Sequence, residues 1–172
     1  IINGNLIKKV MFPAEILPVV AVLSNMFHFI FGLPILSGFL IYYAVPLRLS
    51  ELIWLPLVLT VQLTLTLGLG MVLAALTVHF RDIKDLLANL LTLWFFATPI
   101  IYPMSMLPSQ GKNFMDLNPF AHLAISYQEI LFYDGPFGHW KWLLALAVGG
   151  VGLFLLGYGL FDRLRDSFAE EV

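Results

Sequence analysis

The chain has 172 residues, of which 60% are hydrophobic and 12% are charged, and its mean hydropathy is +0.90. Soluble domains carry about a quarter charged residues, so this composition excludes an ordinary soluble domain and indicates an integral membrane protein. The net charge of -2 gives no argument for a nucleic-acid partner. The absence of Cys excludes disulfides and thiolate metal sites.

Four apolar runs are long enough to be membrane-spanning helices, since a bilayer takes about 20 apolar residues per helix. They cover residues 17–45, 52–78, 86–102 and 143–160. The third is short and carries Asn89. None alternates apolar and polar residues, as outer-membrane strands do. We therefore predict an all-α integral membrane protein whose transmembrane domain covers 16–162.

The cationic residues predict the orientation, because loops rich in Lys and Arg stay on the cytoplasmic side. Six of the nine lie on one side of the predicted spans: Lys8, Lys9, Arg81, Lys84, Arg163 and Arg165. The other side has Arg48, Lys112 and Lys141. This bias places both ends of the chain, 1–15 and 163–172, in the cytoplasm.

The external segment 103–139 is much longer than a typical loop. Asn118-Pro119 is typical of a helix start, with Asn as the cap and Pro at the first helical position. Apolar residues then recur at helical spacing until Asp134-Gly135-Pro136. This helix is too short to span, so it either lies flat in the interface or re-enters between the spans.

Signatures of enzymes are mostly absent. Gly111-Lys112 lacks the rest of a phosphate-binding loop, and no zinc-binding His pair or nucleophile turn occurs. Asp82 and Asp85 could share a divalent ion, but at the start of a helix they are better explained by the helix dipole and by pairing with Arg81 or Lys84. We predict no metal site.

Polar and small residues within the spans predict a packed helical bundle. Interhelical hydrogen bonding is the favoured interpretation over ligand contact for the polar residues Asn25, His28, Gln62, Thr64 and Thr66. Glycines thin the last span and allow a neighbour to approach, at Gly149, Gly150, Gly152, Gly157 and Gly159. Pro34 and Pro99 are expected to kink or break their helices.

An aromatic cluster lies next to Pro99 and consists of Trp94, Phe95, Phe96 and Tyr102. It has two interpretations. The rings either pack or form an interfacial belt, or they line a conduit, since flat rings can stack on sugars or shield a lipid-linked chain.

Several segments together resemble the permease subunits of type-2 ABC exporters, in particular those that move lipid-linked polysaccharide such as O-antigen, capsule or teichoic acid. The matching stretches are NLIKKVMFP at 5–13, EILP at 15–18, FRD at 80–82, WFFATPIIYP at 94–103 and FAEEV at 168–172. Their order and spacing agree over essentially the whole chain.

The resemblance implies a six-helix permease of which this chain is the C-terminal part. It implies a homodimer in the cytoplasmic (inner) membrane of a bacterium, bound to two separate ATP-binding cassette subunits. ATP and Mg would then be held by the partner, with no cofactor on this chain. Segment 103–139 corresponds to the periplasmic gate region before the last span.

The resemblance also assigns roles to residues. Segment 1–15 would couple to the ATPase through Lys8, Lys9, Phe12, Pro13 and Glu15. Positive-inside anchoring is the alternative for the two lysines, although it does not explain Phe12-Pro13. A cytoplasmic brace is expected at Arg81, Asp82 and Lys84.

The expected function is therefore non-enzymatic: a permease that exports lipid-linked polysaccharide, with membrane lipid around it, by alternating exposure of a conduit at the dimer interface. Trp94, Phe95, Phe96 and Tyr102 would contact the substrate. The alternatives are a type-2 exporter of drugs or small molecules, a membrane-embedded enzyme acting on lipid-linked sugars with metal at Asp82 and Asp85, and a structural membrane subunit.

Overall fold

The architecture is helical throughout the part of the chain that the computed structural model describes. The backbone is described for residues 16–79 and 83–171, and the side chains for 16–77 and 86–163. The elements in chain order are α1 (Ile16–Tyr42), α2 (Leu49–Leu52), α3 (Leu55–His79), α4 (Ile83–Ala97), a 3-10 turn (Met104–Met106), α5 (Ser109–Met115), α6 (Pro119–Leu131) and α7 (Trp140–Glu171).

Three segments of the described chain are helical, long and apolar enough to cross a membrane. They are Ile16–Tyr42, Leu49–Thr77 and Trp140–Arg163. The predicted third span, 86–102, corresponds to a shorter apolar helix, Leu86–Ala97. The chain is thus an all-α, multi-pass membrane protein, and the number of four spans stays a prediction.

Helix α1 ends earlier than the apolar pattern predicts, at Tyr42 rather than residue 45. Ala44 adopts a left-handed conformation, with φ 54°, and the Val45 N–H then donates to the Leu40 carbonyl at 2.9 Å. This is the usual way in which a left-handed residue closes a helix. In contrast, α1 continues through Pro34, so the helix is not broken there, and a kink at Pro34 stays a prediction.

Helices α3 and α7 pack extensively against each other in the described part of the chain, and glycines on both make a close approach possible. A Cβ added at Gly68 would lie 2.7 Å from the Phe154 backbone nitrogen, and one at Gly157 would lie 2.7 Å from the Met71 Cβ. A Cβ added at Gly150 would lie 3.0 Å from the Leu65 backbone nitrogen. Since no larger residue fits, small residues permit this backbone approach, as in other membrane helix pairs.

The remaining predicted glycines play no part in that contact. Gly149, Gly152 and Gly159 have nothing within 4 Å of an added Cβ. The prediction that glycines thin α7 for a neighbour thus holds for Gly150 and Gly157, because only their face turns toward α3.

Helix α6 begins at Pro119 with Asn118 as its cap, as predicted. It packs against α2, α3 and α7, and its buried residues are Ala121, His122, Leu123, Ser126, Ile130 and Leu131. The Tyr127 hydroxyl donates to the Gln62 side chain, two turns inside α3. Helix α6 therefore lies against the bundle, while its depth in a membrane stays a prediction.

The predicted interhelical hydrogen bonds are realised at Gln62 but not at three of the other polar positions. The Asn25 amide donates to the Ala21 carbonyl, and the hydroxyls of Thr64 and Thr66 donate to the carbonyls of Thr60 and Gln62. All three bonds are within one helix. Within the described part of the chain these donors thus bond to the carbonyl one turn back instead of to a neighbouring helix.

Candidate functional site

The structure describes only part of the predicted functional residues. Five predicted coupling residues lie outside the described part of the chain: Lys8, Lys9, Phe12, Pro13 and Glu15. Arg81 and Asp82 also lie outside it. Lys84 and Asp85 belong to helix α4, but the structure describes only their backbone and not their side chains.

The predicted aromatic cluster divides into two pairs. Phe95 and Phe96 are 45% and 61% exposed, and their rings meet edge to face at 5.5 Å. Trp94 is half-buried and meets Phe120 edge to face at 5.4 Å. The Tyr102 hydroxyl donates to the Ala97 carbonyl at 2.8 Å. Two of the four rings are thus tied to the fold, and two are free to contact another molecule.

Asn118 connects the end of α4 to the start of α6. Its Oδ1 accepts from the Trp94 Nε1–H at 2.9 Å and from the Phe120 N–H at 3.1 Å, and its Nδ2 donates to the Thr98 Oγ1 at 3.0 Å. Asn118 and Thr98 are buried, at 6% and 2% exposure. Buried polar groups must be paired, so this network holds the two elements in one geometry.

Helix α4 ends two residues before Pro99, and side chains satisfy the carbonyls that this ending leaves. The Tyr102 hydroxyl donates to the Ala97 carbonyl at 2.8 Å and to the Phe96 carbonyl at 3.3 Å, and the Gln128 Nε2 donates to the Pro99 carbonyl at 2.7 Å. These side-chain bonds replace the helical hydrogen bonds that cannot continue past proline. The predicted break at Pro99 is confirmed.

A groove of about 300 Å³ opens between α4 and α5. It is lined by Leu90, Leu93, Trp94, Ala97, Phe114, Leu117 and Asn118. Its lining is almost wholly apolar, because the polar atoms of Asn118 are used in the network. The groove suits an alkyl or isoprenoid chain better than a polar ligand.

Arg48 and Glu51, which sequence reasoning passed over, hold the turn between α6 and α7. The Arg48 guanidinium donates to the carbonyls of Tyr133 and Gly135, and to that of Glu129 at 3.3 Å. The Glu51 carboxylate accepts from the Phe137 N–H at 3.0 Å. The sequence did contain a signal for these two residues, because they are the charged residues of a turn that is otherwise apolar apart from Ser50.

A second group missed from the sequence is a histidine pair at the junction of α6 and α7. His122 Nδ1 lies 3.0 Å from His139 Nε2, and His122 Nε2 lies 2.9 Å from the Asp116 carbonyl oxygen. Trp142 stacks on His122 with ring centroids 4.1 Å apart. His122 and Glu129, seven positions apart on one helix, share a face, which is the only sequence signal for this group.

The environment of His139 is mixed. Burial lowers the pKa of His139 below the ordinary 6.5, and the neighbouring His122 lowers it further. The Glu129 carboxylate, whose Oε1 lies 3.4 Å from His139 Nδ1, and Asp116 act in the opposite direction and raise this pKa. Burial likewise raises the pKa of Tyr127. Among the described residues, no group of three or more His, Asp or Glu is placed to hold a metal ion.

Comparison with known proteins decides the family. The family described as "ABC-2 type transporter" matches residues 1–132. The chain belongs to the ABC-2 type transporter family. The match covers the predicted coupling segment and the helices α1 to α6, so the resemblance predicted from the sequence is confirmed at the level of the family.

Curated relatives extend this ABC-2 assignment over nearly the whole chain. An O-antigen export system permease protein RfbA of Myxococcus xanthus is 38% identical over 170 residues, which is 98% of this chain and 65% of the relative. Two proteins of the same name from Klebsiella pneumoniae are 30% and 29% identical, over 99% of this chain and 65% of each relative. The chain thus spans just under two thirds of the length of these relatives.

Proposed function

We propose that this chain is part of the permease of an ABC exporter that moves lipid-linked polysaccharide, of the O-antigen type, across the cytoplasmic membrane of a bacterium. The observation that carries the proposal is the similarity, over 98% of the chain, to a permease named for O-antigen export. ATP is hydrolysed on a separate ATP-binding cassette subunit, which also holds Mg. The chain itself performs no covalent chemistry.

A second copy of the permease completes the conduit in this proposal. Helix α4 supports it, because many of its apolar side chains stand away from the rest of the chain: Leu86 and Leu93 are each 69% exposed, and Phe96 is 61% exposed. Such a face needs lipid or another apolar surface over it. A homodimer formed partly through α4 would place Phe95 and Phe96 beside the path of the polymer.

Within this conduit, the two aromatic pairs have different roles. Phe95 and Phe96 contact the passing substrate, since their rings are accessible. Trp94 and Tyr102 also face the conduit region, but their hydrogen bonds to Asn118 and Ala97 make them supports for it. The groove beside Trp94 suits the lipid part of the substrate or a membrane lipid.

Coupling to the ATPase is assigned to the segment that precedes α1. Lys8 and Lys9 offer positive charge to an acidic groove of the partner, and Phe12-Pro13 forms a stiff apolar knob that transmits its movement. Glu15 is assigned to the same coupling segment. Arg81, Asp82 and Lys84 brace the same cytoplasmic side, while 103–139 forms the gate on the periplasmic side.

The test is co-purification of an ATP-hydrolysing subunit with the full-length parent protein in mild detergent. We expect the subunit to co-purify, and the double charge reversal Lys8→Glu/Lys9→Glu to release it, because the docking attraction becomes repulsion. The matched control is Lys112→Glu/Lys141→Glu, which reverses two exposed charges predicted on the opposite side.

Retention of the ATPase by the control but not by the test variant supports the proposal. Retention by both variants overturns the coupling assignment. If the parent protein purifies alone and shows no associated ATPase activity, the exporter proposal itself fails.

A further inference from the structure

The histidine pair between α6 and α7 forms a hydrogen bond whose proton can be assigned. A carbonyl oxygen only accepts, so His122 Nε2 carries a hydrogen and donates to Asp116. In a neutral ring the other nitrogen, Nδ1, is then an acceptor. His139 Nε2, at 3.0 Å, must therefore be the donor to it. In the neutral pair each histidine is therefore protonated on Nε2, and the unprotonated His139 Nδ1 faces the Glu129 Oε1 at 3.4 Å.

A proton added at His122 Nδ1 removes that acceptor. A single added proton is accommodated, because His139 can carry its hydrogen on Nδ1, beside the Glu129 Oε1 at 3.4 Å, and accept from His122 through Nε2. When both rings are imidazolium, the two N–H groups point at each other across 3.0 Å and the like charges repel. His122 is 3% exposed and stacked on Trp142, so the charged ring would have little water around it. The doubly charged pair is better accommodated by opening the contact.

The charged groups around the pair compensate for this only in part. From α6, the Glu129 Oε1 lies 3.4 Å from His139 Nδ1, but Glu129 Oε2 is already occupied by the N–H groups of Gly138 and His139, at 3.0 and 3.1 Å. Asp116 follows α5 and presents its carbonyl. On α7, the Lys141 Nζ lies 5.7 Å from the centre of the Trp140 ring.

We infer that the His122–His139 hydrogen bond is an acid-sensitive latch, which fastens α6 to the start of α7 at neutral pH and releases it as the pH falls. The lowered pKa of His139 agrees with this direction. A histidine that is harder to protonate in the closed state binds its proton better in the open state. The latch contributes fully above pH 6.5, the ordinary value, and is lost as the pH falls below it.

The latch lies in 103–139, so under the proposed function, on which this consequence rests, acid loosens the gate region. The opening of α6 can be measured without any export. Failure of the latch proposal is therefore distinguishable from failure of the proposed function.

The experiment is hydrogen–deuterium exchange of the full-length protein in zwitterionic lipid nanodiscs between pH 5 and 8, with rates corrected for the chemical exchange rate. We expect the opening of α6 and of segment 132–139 to increase below pH 6.5, by at most about tenfold per pH unit for each proton bound. The interior of α1 should show no such change.

The variant His139→Gln should lose this dependence, because a glutamine amide can donate to the Nδ1 of neutral His122 and, after rotation, accept from the Nδ1–H of charged His122. The matched control is His28→Gln, at an exposed histidine of α1, which should behave as wild type. Opening of α6 that is independent of pH in wild type, or that persists unchanged in His139→Gln, overturns the inference. An equal rise of exchange in α1 and α6 of the wild-type protein also overturns the inference. This outcome does not depend on the folding of any variant.

Discussion

At Asn118 one amide side chain performs three tasks, two of which the sequence did not show. The Asn-Pro pair predicted the helix cap, because both residues act on the backbone beside them. The bonds to Trp94 and Thr98 cross 24 and 20 residues of chain. They depend on how α4 and α6 meet, which local sequence does not encode.

Replacing Asn118 by Ala is expected to lower the free energy of unfolding by about 1–3 kcal/mol, since the cap is lost and buried donors are left unpaired. A double-mutant cycle with Trp94→Phe should give a coupling energy of about 0.5–1.5 kcal/mol for the indole bond. Denaturant titration in mixed micelles measures both. Asn113→Ala, at an exposed position on α5, is the control. A coupling energy of zero would show that the indole bond contributes nothing.

At the scale of the element, the α3–α7 pair is defined by which face of each helix carries glycine. A Cβ added at Gly68 would lie 2.7 and 2.9 Å from backbone atoms of Phe154 and Gly150 on α7. Backbone cannot rotate away as the end of a side chain can, so this contact has no room for a methyl group. Gly152 on α7 faces open space, and there the residue is only a weak helix former.

We therefore expect Gly68→Ala to destabilise the bundle by roughly 1–3 kcal/mol, through displacement of α7. Gly152→Ala should leave stability unchanged or raise it by up to about 1 kcal/mol, the difference in helix propensity. Thermal unfolding of both variants in the same detergent compares them. Equal effects would mean that the close approach of α3 and α7 does not limit stability.

At the scale of the whole molecule, what stands out is how much apolar surface the chain leaves uncovered. Phe95 and Phe96 on α4 and Phe27 and Phe31 on α1 are all exposed. Lipid can cover any of these rings, so exposure alone does not distinguish a conduit wall from a lipid-facing helix. Of these two helices, α4 and not α1 lies beside the Trp94–Asn118 network and its groove.

If the rings of α4 contact the cargo, Phe95→Ala/Phe96→Ala should lower polysaccharide export several-fold while expression, stability and association with the ATPase stay normal. The matched control is Phe27→Ala/Phe31→Ala, at rings that are 61% and 72% exposed on α1. Export is measured as polymer at the cell surface, relative to permease in the membrane. Equal export by both double variants and wild type would remove the aromatic conduit from the mechanism.

Much of the fold follows from the sequence where one local cause is sufficient. The helix ending before Pro99 follows from a missing N–H, and the start of α6 follows from Asn118-Pro119. The end of α1 was placed too late, because the apolar run continues to Val45 while the left-handed Ala44 has already closed the helix. Of the candidate site, the sequence predicted the aromatic residues but not which two are tied to the fold.

Composition alone determined the class of this protein, since a chain with 60% hydrophobic and 12% charged residues has too few polar side chains to cover its surface in water. The order of its short motifs indicated the family. The tertiary structure decided which residues act together: Asn118 with Trp94, Arg48 with the turn after α6, and His122 with His139. Each of these contacts joins separate elements or loops. Their energies depend on distances of about 3 Å, which are set only once the helices have packed.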